Sequence, residues 1–186
     1  MSGRTGHGKK KYNKNTNKIQ NKSLELSLLL SLPASIALII GSDEIVNALF
    51  GYGSFTENDI KQTSLALRYF GYGIPAFAVL KIFANFFFAR DNTMTPFKIS
   101  SIIVITNVVI SVLFFKKFGF VIIPIATTLS SWIGILYYLY ILLKIGYLKI
   151  ESKFYTRLIK IVLSTTIMSY VSVSYTHLTL PTKRIV

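Results

Sequence analysis

The sequence predicts an all-α protein, a polytopic bundle of about five transmembrane helices. Of its 186 residues, 52% are hydrophobic and only 15% are charged, whereas soluble domains carry roughly 25% charged residues. The mean hydropathy is +0.52, and the apolar residues fall in long runs. Because about 20 predominantly apolar residues cross a bilayer as a helix, we expect spans at about 23–40, 61–89, 97–115, 119–143 and 154–173.

Composition divides the chain into three regions. Residues 1–22 hold seven of the 21 Lys and Arg residues and are rich in Asn and Gly, so we expect a solvated, basic cytoplasmic segment that cannot fold alone. Residues 23–173 form the transmembrane helical region. The tail 174–186 turns polar where the last span should still be apolar. We expect this tail to be non-native, to lack helical continuity with residues 157–173 and to pack against nothing.

The formal net charge of +14 is concentrated beside the spans. Five cations lie between Lys144 and Lys160, whereas four of the seven acidic residues lie within 41–60. Lys and Arg beside a span mark its cytoplasmic side and contact anionic lipid. The pattern predicts a cytoplasmic N-terminus and an outer acidic segment that contains a short interfacial helix at 45–50, with Lys116 and Lys117 as outer exceptions. It also predicts membrane lipids, and not nucleic acid, as partners.

The second span contains the strongest candidates for a binding site. Lys81 is the only charge within 69–89 and lies about 10 Å from the inner end of its helix at 1.5 Å per residue. A lysine at this depth costs a few kcal/mol. It either binds an anionic group from a cavity, with Asn85 one turn away on the same face, or extends its ammonium to the interface. Arg68, near the outer end, has the same two interpretations, and we favour the interfacial one.

Prolines and one inner turn complete the candidate set. Pro33 and Pro75 lie inside apolar spans and should kink their helices; the groups freed at Pro33 need Ser31 or a neighbouring helix as partners. An Arg90–Asp91 pair can hold the inner turn, and we interpret this segment as a structured loop and a topology signal, with Pro96 in the first turn of the next helix. Gating contacts between two lobes are the alternative role for this loop.

Two polar stripes mark the third and fourth spans. Both stripes recur at helical spacing, and buried hydroxyl and amide groups in membranes bond across helices. We therefore favour helix packing over cavity lining for both. Their members are Ser100, Asn107 and Ser111 in the third span and Thr127, Ser131 and Gly134 in the fourth.

The sequence indicates no enzyme. It contains no pair of acidic residues on an apolar helix and no glycine-rich nucleotide loop of the Walker type. We therefore expect no catalytic residues, no metal and no cofactor.

Four motifs carry a family resemblance. They are Leu32-Pro33-Ala34, LFGYGSFT at 49–56, Lys81, and FARDNTMTP at 88–96. In this order, across roughly 19–170, they resemble the MviN/MurJ family of lipid II flippases, within the multidrug/oligosaccharidyl-lipid/polysaccharide exporter superfamily. The resemblance implies helices nine to thirteen of a fourteen-helix fold, and a bacterial inner-membrane location.

The resemblance also implies a substrate and a mechanism. The substrate would be the undecaprenyl-pyrophosphate-linked disaccharide-pentapeptide, lipid II, moved outward by alternating access in a monomeric full-length protein. The family's essential arginines and aspartate belong to earlier helices, so they cannot be carried over to this chain.

Three alternatives to a lipid II flippase remain open. Another exporter of the superfamily could move lipid-linked polysaccharide or drugs, although the motifs at 49–56 and 88–96 favour the peptidoglycan branch. A membrane enzyme acting on prenyl phosphates is disfavoured because the sequence lacks a carboxylate cluster. A non-transporting membrane scaffold that recruits cell-wall enzymes is compatible with the spans alone.

Overall fold

A computed structural model describes residues 14–149 and 152–179, and this part of the chain is all-α, as predicted. Its six α-helices are joined by short loops and by one 3-10 turn at Gly119–Val121. The helices are α1 (Lys14–Ile40), α2 (Ser42–Phe50), α3 (Glu57–Phe88), α4 (Met94–Phe118), α5 (Ile122–Ile145) and α6 (Ser152–Thr179).

Three stretches of the described residues are long and apolar enough to cross a membrane. They are Asn15–Ile40, Glu57–Phe88 and Met94–Ile145, and the last one contains both α4 and α5. The five predicted spans match α1, α3, α4, α5 and α6 in position. Their number in the membrane stays a prediction.

The bundle is built around α3, which packs against α1 on one side and α5 on the other. α4 lies against α5, α6 lies against α1, and the short α2 contacts α3. The core at the end where α3 finishes is aromatic, with Phe83, Phe87 and Tyr138 almost fully buried. The ring centroids of Phe87 and Tyr138 lie 5.8 Å apart. α3 therefore lies at the centre of the bundle, between α1 and α5.

The first helix begins earlier than the sequence predicted. Residues 14–22, which the sequence assigns to a solvated segment, are helical and belong to α1. The assignment of this segment to the cytoplasm stays a prediction. Asn17, Gln20 and Asn21 are buried in this part of α1, because their amide groups bond to the loop that follows α5. The predicted basic segment at 1–13 lies outside the described residues.

The last helix continues further than the sequence predicted. α6 passes through Ser174 without a break and reaches Thr179, so the expected loss of helical continuity is wrong for 174–179. Polar Ser and Thr residues can remain helical when they bond to their own backbone. Thr165 and Thr166 do so in α6, by donating to Ile161 O and Val162 O. Residues 180–186 lie outside the described part, and the origin of the tail stays a prediction.

Candidate functional site

The middle of α3 lacks one backbone hydrogen bond, which a side chain of a neighbouring helix replaces. Pro75 lacks the N–H that would bond to the carbonyl of Gly71, four residues earlier. The hydroxyl of Ser35 in α1 donates to that carbonyl at 2.8 Å, in a buried position. The acceptor that the proline leaves free is thus satisfied from outside the helix, as a membrane interior requires.

Two further carbonyls in the same turn are bonded from the opposite side. The Thr128 hydroxyl donates to Tyr69 O at 2.8 Å. The Trp132 indole N–H donates to Tyr72 O at 3.3 Å. Both donors belong to α5, so the turn that precedes Pro75 is held between α1 and α5.

Glycines allow this close approach. A Cβ placed on Gly71 would lie 2.8 Å from Ile39 Cγ1, and one on Gly73 would lie 2.8 Å from the Thr128 hydroxyl oxygen.

The helix continues on both sides of Pro33 and Pro75. The sequence suggested Ser31 as a partner near Pro33, but the buried Ser31 hydroxyl has no hydrogen-bond partner.

Lys81 and Asn85 lie together on an exposed face of α3. Both are exposed, whereas Val79, Phe83 and Phe86 on other faces are buried against the bundle. Within the described residues, no carboxylate forms an ion pair with Lys81. The structure thus presents a cation and a neighbouring amide away from the contacts that α3 makes with α1 and α5. Whether they bind substrate stays a prediction.

Arg68 is held by the short helix α2. Its Nη2 lies 2.7 Å from an Asp43 carboxylate oxygen, and its Nε donates to the Ser42 hydroxyl at 3.2 Å. The sequence suggested that Arg68 extends to the membrane interface or contacts substrate, and neither interpretation included these bonds. A partly exposed ion pair of this kind contributes at most about 1 kcal/mol, and the two bonds join α2 to α3. Whether Arg68 also contacts substrate stays a prediction.

Arg90 lies at the centre of a polar cluster at the opposite end of α3. Its Nη1 donates to Phe86 O, and its Nη2 donates to Tyr147 O at 3.4 Å. Its guanidinium lies 4.4 Å from the centre of the Tyr147 ring, in cation–π geometry. Burial lowers the pKa of Arg90, although a guanidinium remains protonated. The residue joins the end of α3 to the loop after α5.

The start of α1 completes this cluster. The Gln20 amide, oriented so that its nitrogen donates to Tyr147 O at 3.0 Å, accepts from both terminal Arg90 nitrogens at 3.0 and 3.1 Å. The Asn17 amide bonds to both backbone groups of Lys149, donating to its oxygen at 2.9 Å and accepting from its nitrogen at 2.8 Å. These bonds fasten the beginning of α1 to the loop between α5 and α6.

Sequence reasoning missed this cluster. Asn and Lys dominate residues 14–22 and favour a solvated segment. The available signal was the spacing of Asn17, Gln20 and Asn21, which places three amides on one helix face. Asn21 follows the same pattern, because its Nδ2 also donates to Lys149 O at 2.9 Å.

The turn after α3 is closed by backbone bonds and not by the expected ion pair. Asn92 N donates to Phe87 O at 3.1 Å and Asp91 N donates to Phe88 O at 3.0 Å, which is the pattern of a Schellman motif. Asp91 has φ +57°, in the left-handed region that favours glycine. No Arg90–Asp91 ion pair forms. Pro96 lies buried in the first turn of α4, as predicted.

The polar stripes of α4 and α5 meet each other. Asn107 donates from its amide to the Thr127 hydroxyl at 2.9 Å, and Ser111 donates to Asn107 Oδ1 at 3.2 Å. Gly134 lies against Ile103, where a Cβ would overlap the isoleucine. These contacts support helix packing as the role of the stripes.

One ion pair links the last helix to the first. Arg157 Nη1 lies 2.7 Å from a Glu25 carboxylate oxygen. Among the described residues, no group of three or more His, Cys, Asp or Glu could hold a metal ion. The hydrogen bonds described above join these polar groups to the backbone or to one another.

Comparison with known proteins gives a consistent result. A family model described as "Lipid II flippase MurJ" matches residues 5–183. The probable lipid II flippase MurJ of Rhizobium tropici is 32% identical over 174 residues, which are 94% of this chain and 32% of that protein. The corresponding protein of Rickettsia prowazekii (strain Madrid E) is 37% identical over 122 residues, covering 64% of this chain and 24% of that protein.

A solved structure has the same fold. "Lipid II flippase MurJ, inward closed conformation" superposes with a TM-score of 0.74 and 28% identity, covering 85% of this chain and 32% of that chain. The chain thus spans about a third or less of the length of these proteins.

Proposed function

We propose that this chain, which belongs to the MurJ family of lipid II flippases, forms part of a transporter that moves a lipid-linked peptidoglycan precursor outward. It is a multi-pass protein of the bacterial inner membrane and not an enzyme. The observation that carries the proposal is the family match over residues 5–183, together with a shared fold at a TM-score of 0.74.

The proposed substrate is undecaprenyl-pyrophosphate-linked disaccharide-pentapeptide, which is anionic at its pyrophosphate. Lys81 offers an exposed ammonium on α3, with the exposed Asn85 amide one turn away. An ammonium binds phosphate as a compact charge, and an exposed cation deep in an apolar helix is costly unless it has such a partner. We assign Lys81 to the pyrophosphate and Asn85 to a supporting hydrogen bond.

α3 would act as the rigid wall of the transport path. The backbone carbonyls in the turn before Pro75 accept hydrogen bonds from Ser35 on one side and from Thr128 and Trp132 on the other. Alternating access moves helical units as rigid bodies around a substrate site. These hydrogen bonds from α1 and α5 to α3 support movement of the three helices as one unit, with Arg90 joining them at one end.

The proposed orientation places the N-terminus and the Arg90 cluster on the cytoplasmic side. The acidic segment with Asp43, the partner of Arg68, then lies outside. Lys and Arg near the inner loops support this arrangement. The other proposed partners are membrane lipids; no nucleic acid and no cofactor are required, and the full-length protein would be monomeric.

A chimera tests the proposal. The matching third of the Rhizobium tropici relative would be replaced by residues 5–183 of this chain. We expect the chimera to restore growth when the host's own lipid II flippase is depleted, and to expose lipid II on the outer leaflet. A chimera that inserts at the parent's level, yet supports neither growth nor lipid II exposure, would contradict the proposal.

A further inference from the structure

A groove opens at the end of the bundle opposite the Arg90 cluster. It has a volume of about 410 Å³ and lies between the start of α3 and the turn that joins α4 to α5. Small-molecule sites range over about 300–1,000 Å³. Besides Asp59 and Gly119, the lining combines three aromatic side chains with three neutral polar ones, and the function proposed above uses none of them. They are Phe55, Phe118 and Phe120, and Asn58, Gln62 and Thr63.

Local structure fixes both walls of the groove. On one wall, Thr56 and Asp59 form a capping box that sets the start of α3, with the Thr56 hydroxyl accepting from Asp59 N at 3.2 Å. Phe55 is supported from behind by Phe50, with ring centroids 5.7 Å apart. On the other wall, Gly119 has φ +61°. This left-handed residue turns the chain between the two phenylalanines at 118 and 120.

We propose that the groove binds a neutral sugar that carries hydroxyl and acetamido groups. A sugar ring has an apolar C–H face, which packs on aromatic rings, and a polar edge, which exchanges hydrogen bonds with amides and hydroxyls. Asn58, Gln62 and Thr63 supply both donors and acceptors. An apolar ligand would remove their hydration without replacing those bonds.

The charges in and beside the groove favour a neutral ligand. Asp59, which lines the groove, and Glu57 in the same first turn of α3 disfavour an anion, and the Asp59 carboxylate already accepts from Thr56 N at 3.0 Å and from the Thr56 hydroxyl at 2.6 Å. The Lys117 ammonium lies 5.4 Å from the centre of the Phe118 ring and disfavours a cation. The aromatic rings and neutral polar side chains that line the groove therefore suit an uncharged saccharide.

The inference rests on the proposed function for its location. In the proposed orientation the groove opens on the outer side of the membrane. An acetamido sugar can reach it there from two sources: the head group of a lipid-linked precursor, or a free glycan chain. The chemistry is shared, and the experiment distinguishes the sources.

The test uses the full-length chimera in lipid nanodiscs, because glycoside detergents carry sugar head groups. The probe is the soluble disaccharide of N-acetylglucosamine, and binding is measured by saturation-transfer NMR. We expect binding to the unmodified chimera, and a loss of affinity of about three- to tenfold for Phe118→Ala and for Phe120→Ala. Gln62→Leu, which preserves the side-chain volume, should weaken binding by a similar factor.

Phe97→Ala is the matched control, because Phe97 is an exposed phenylalanine at the opposite end of α4. It should leave binding unchanged. Failure of the unmodified chimera to bind the disaccharide, or equal loss in Phe97→Ala, would overturn the proposal. If an alanine variant misfolds, unchanged binding by a folded Gln62→Leu variant would overturn it as well.

Competition assigns the source of the sugar. Displacement of the disaccharide by lipid II indicates the transported head group, whereas displacement by soluble glycan chains alone indicates free glycan. The result is separable from the proposed function. If the chimera transports lipid II but does not bind the disaccharide, only the sugar-binding proposal is contradicted. If the chimera binds the disaccharide but does not transport lipid II, only the transport proposal is contradicted.

Discussion

The bond from Ser35 to Gly71 makes a prediction that a double-mutant cycle can isolate. Ser35→Ala removes the side-chain hydroxyl that donates to the carbonyl left free by Pro75. A buried acceptor without a partner costs about 1–3 kcal/mol, although bonds between membrane helices average about 0.6 kcal/mol. We therefore expect Ser35→Ala to lower the free energy of unfolding by about 1 kcal/mol.

Pro75→Ala restores an N–H four residues after Gly71. In that background the helix can satisfy the carbonyl itself, so Ser35→Ala should have almost no cost. The expected coupling free energy is about 1 kcal/mol. The measurement is reversible unfolding of the full-length protein in mixed micelles by SDS titration.

Ser31→Ala is the matched control. Ser31 and Ser35 are buried alike on α1, at 6% and 5% exposure, but the Ser31 hydroxyl has no partner. Its removal should be neutral or slightly stabilising. An equal cost of Ser35→Ala with Pro75 and with Ala at that position would refute the reasoning, as would an equal cost at Ser31.

Three further predictions follow from the two ends of the bundle. Arg90→Gln should lower the free energy of unfolding by about 2 kcal/mol, because it removes charged hydrogen bonds and the contact with the Tyr147 ring. In the same SDS titration, Arg90→Lys should recover only part of this loss, since lysine lacks the planar guanidinium group. Asp91→Gly should raise the free energy of unfolding by up to about 1 kcal/mol because of the positive φ at this residue, and Asp91→Val should lower it. A valine variant more stable than the glycine variant would exclude this explanation. Cysteine introduced by Ser54→Cys should react with an impermeant reagent only from outside, and reaction from the cytoplasm alone would invert the topology.

The helical scaffold was accessible from the sequence because long apolar runs have one main structural solution in a membrane. The capping box at Thr56 and Asp59 was also predictable, since its spacing is local. The start of α1 was not, because the burial of Asn17 depends on the backbone of Lys149, 132 residues away. Composition alone cannot anticipate a partner that distant.

The candidate residues show the same division. Lys81 and Asn85 share a face, as helical spacing predicts, and both are exposed. The partner of Arg68 was not foreseen, because it depends on how the short helix with Asp43 folds back on α3. An Arg90–Asp91 pair was expected from adjacency, yet the positive φ at Asp91 gives the chain a backbone-bonded turn instead.

Lipid II exposure by Lys81 variants tests most directly whether α3 carries the substrate-binding cation. The assay compares Lys81→Leu, Lys81→Ala and Lys81→Arg in the full-length chimera at matched protein levels, with Lys61→Ala as a control for an exposed lysine near the start of the same helix. Loss of the charge should lower outer-leaflet lipid II, whereas arginine should retain part of the activity because it also binds phosphate. The control should transport normally. Wild-type exposure of lipid II by Lys81→Leu would contradict this role and leave Lys81 as an interfacial anchor.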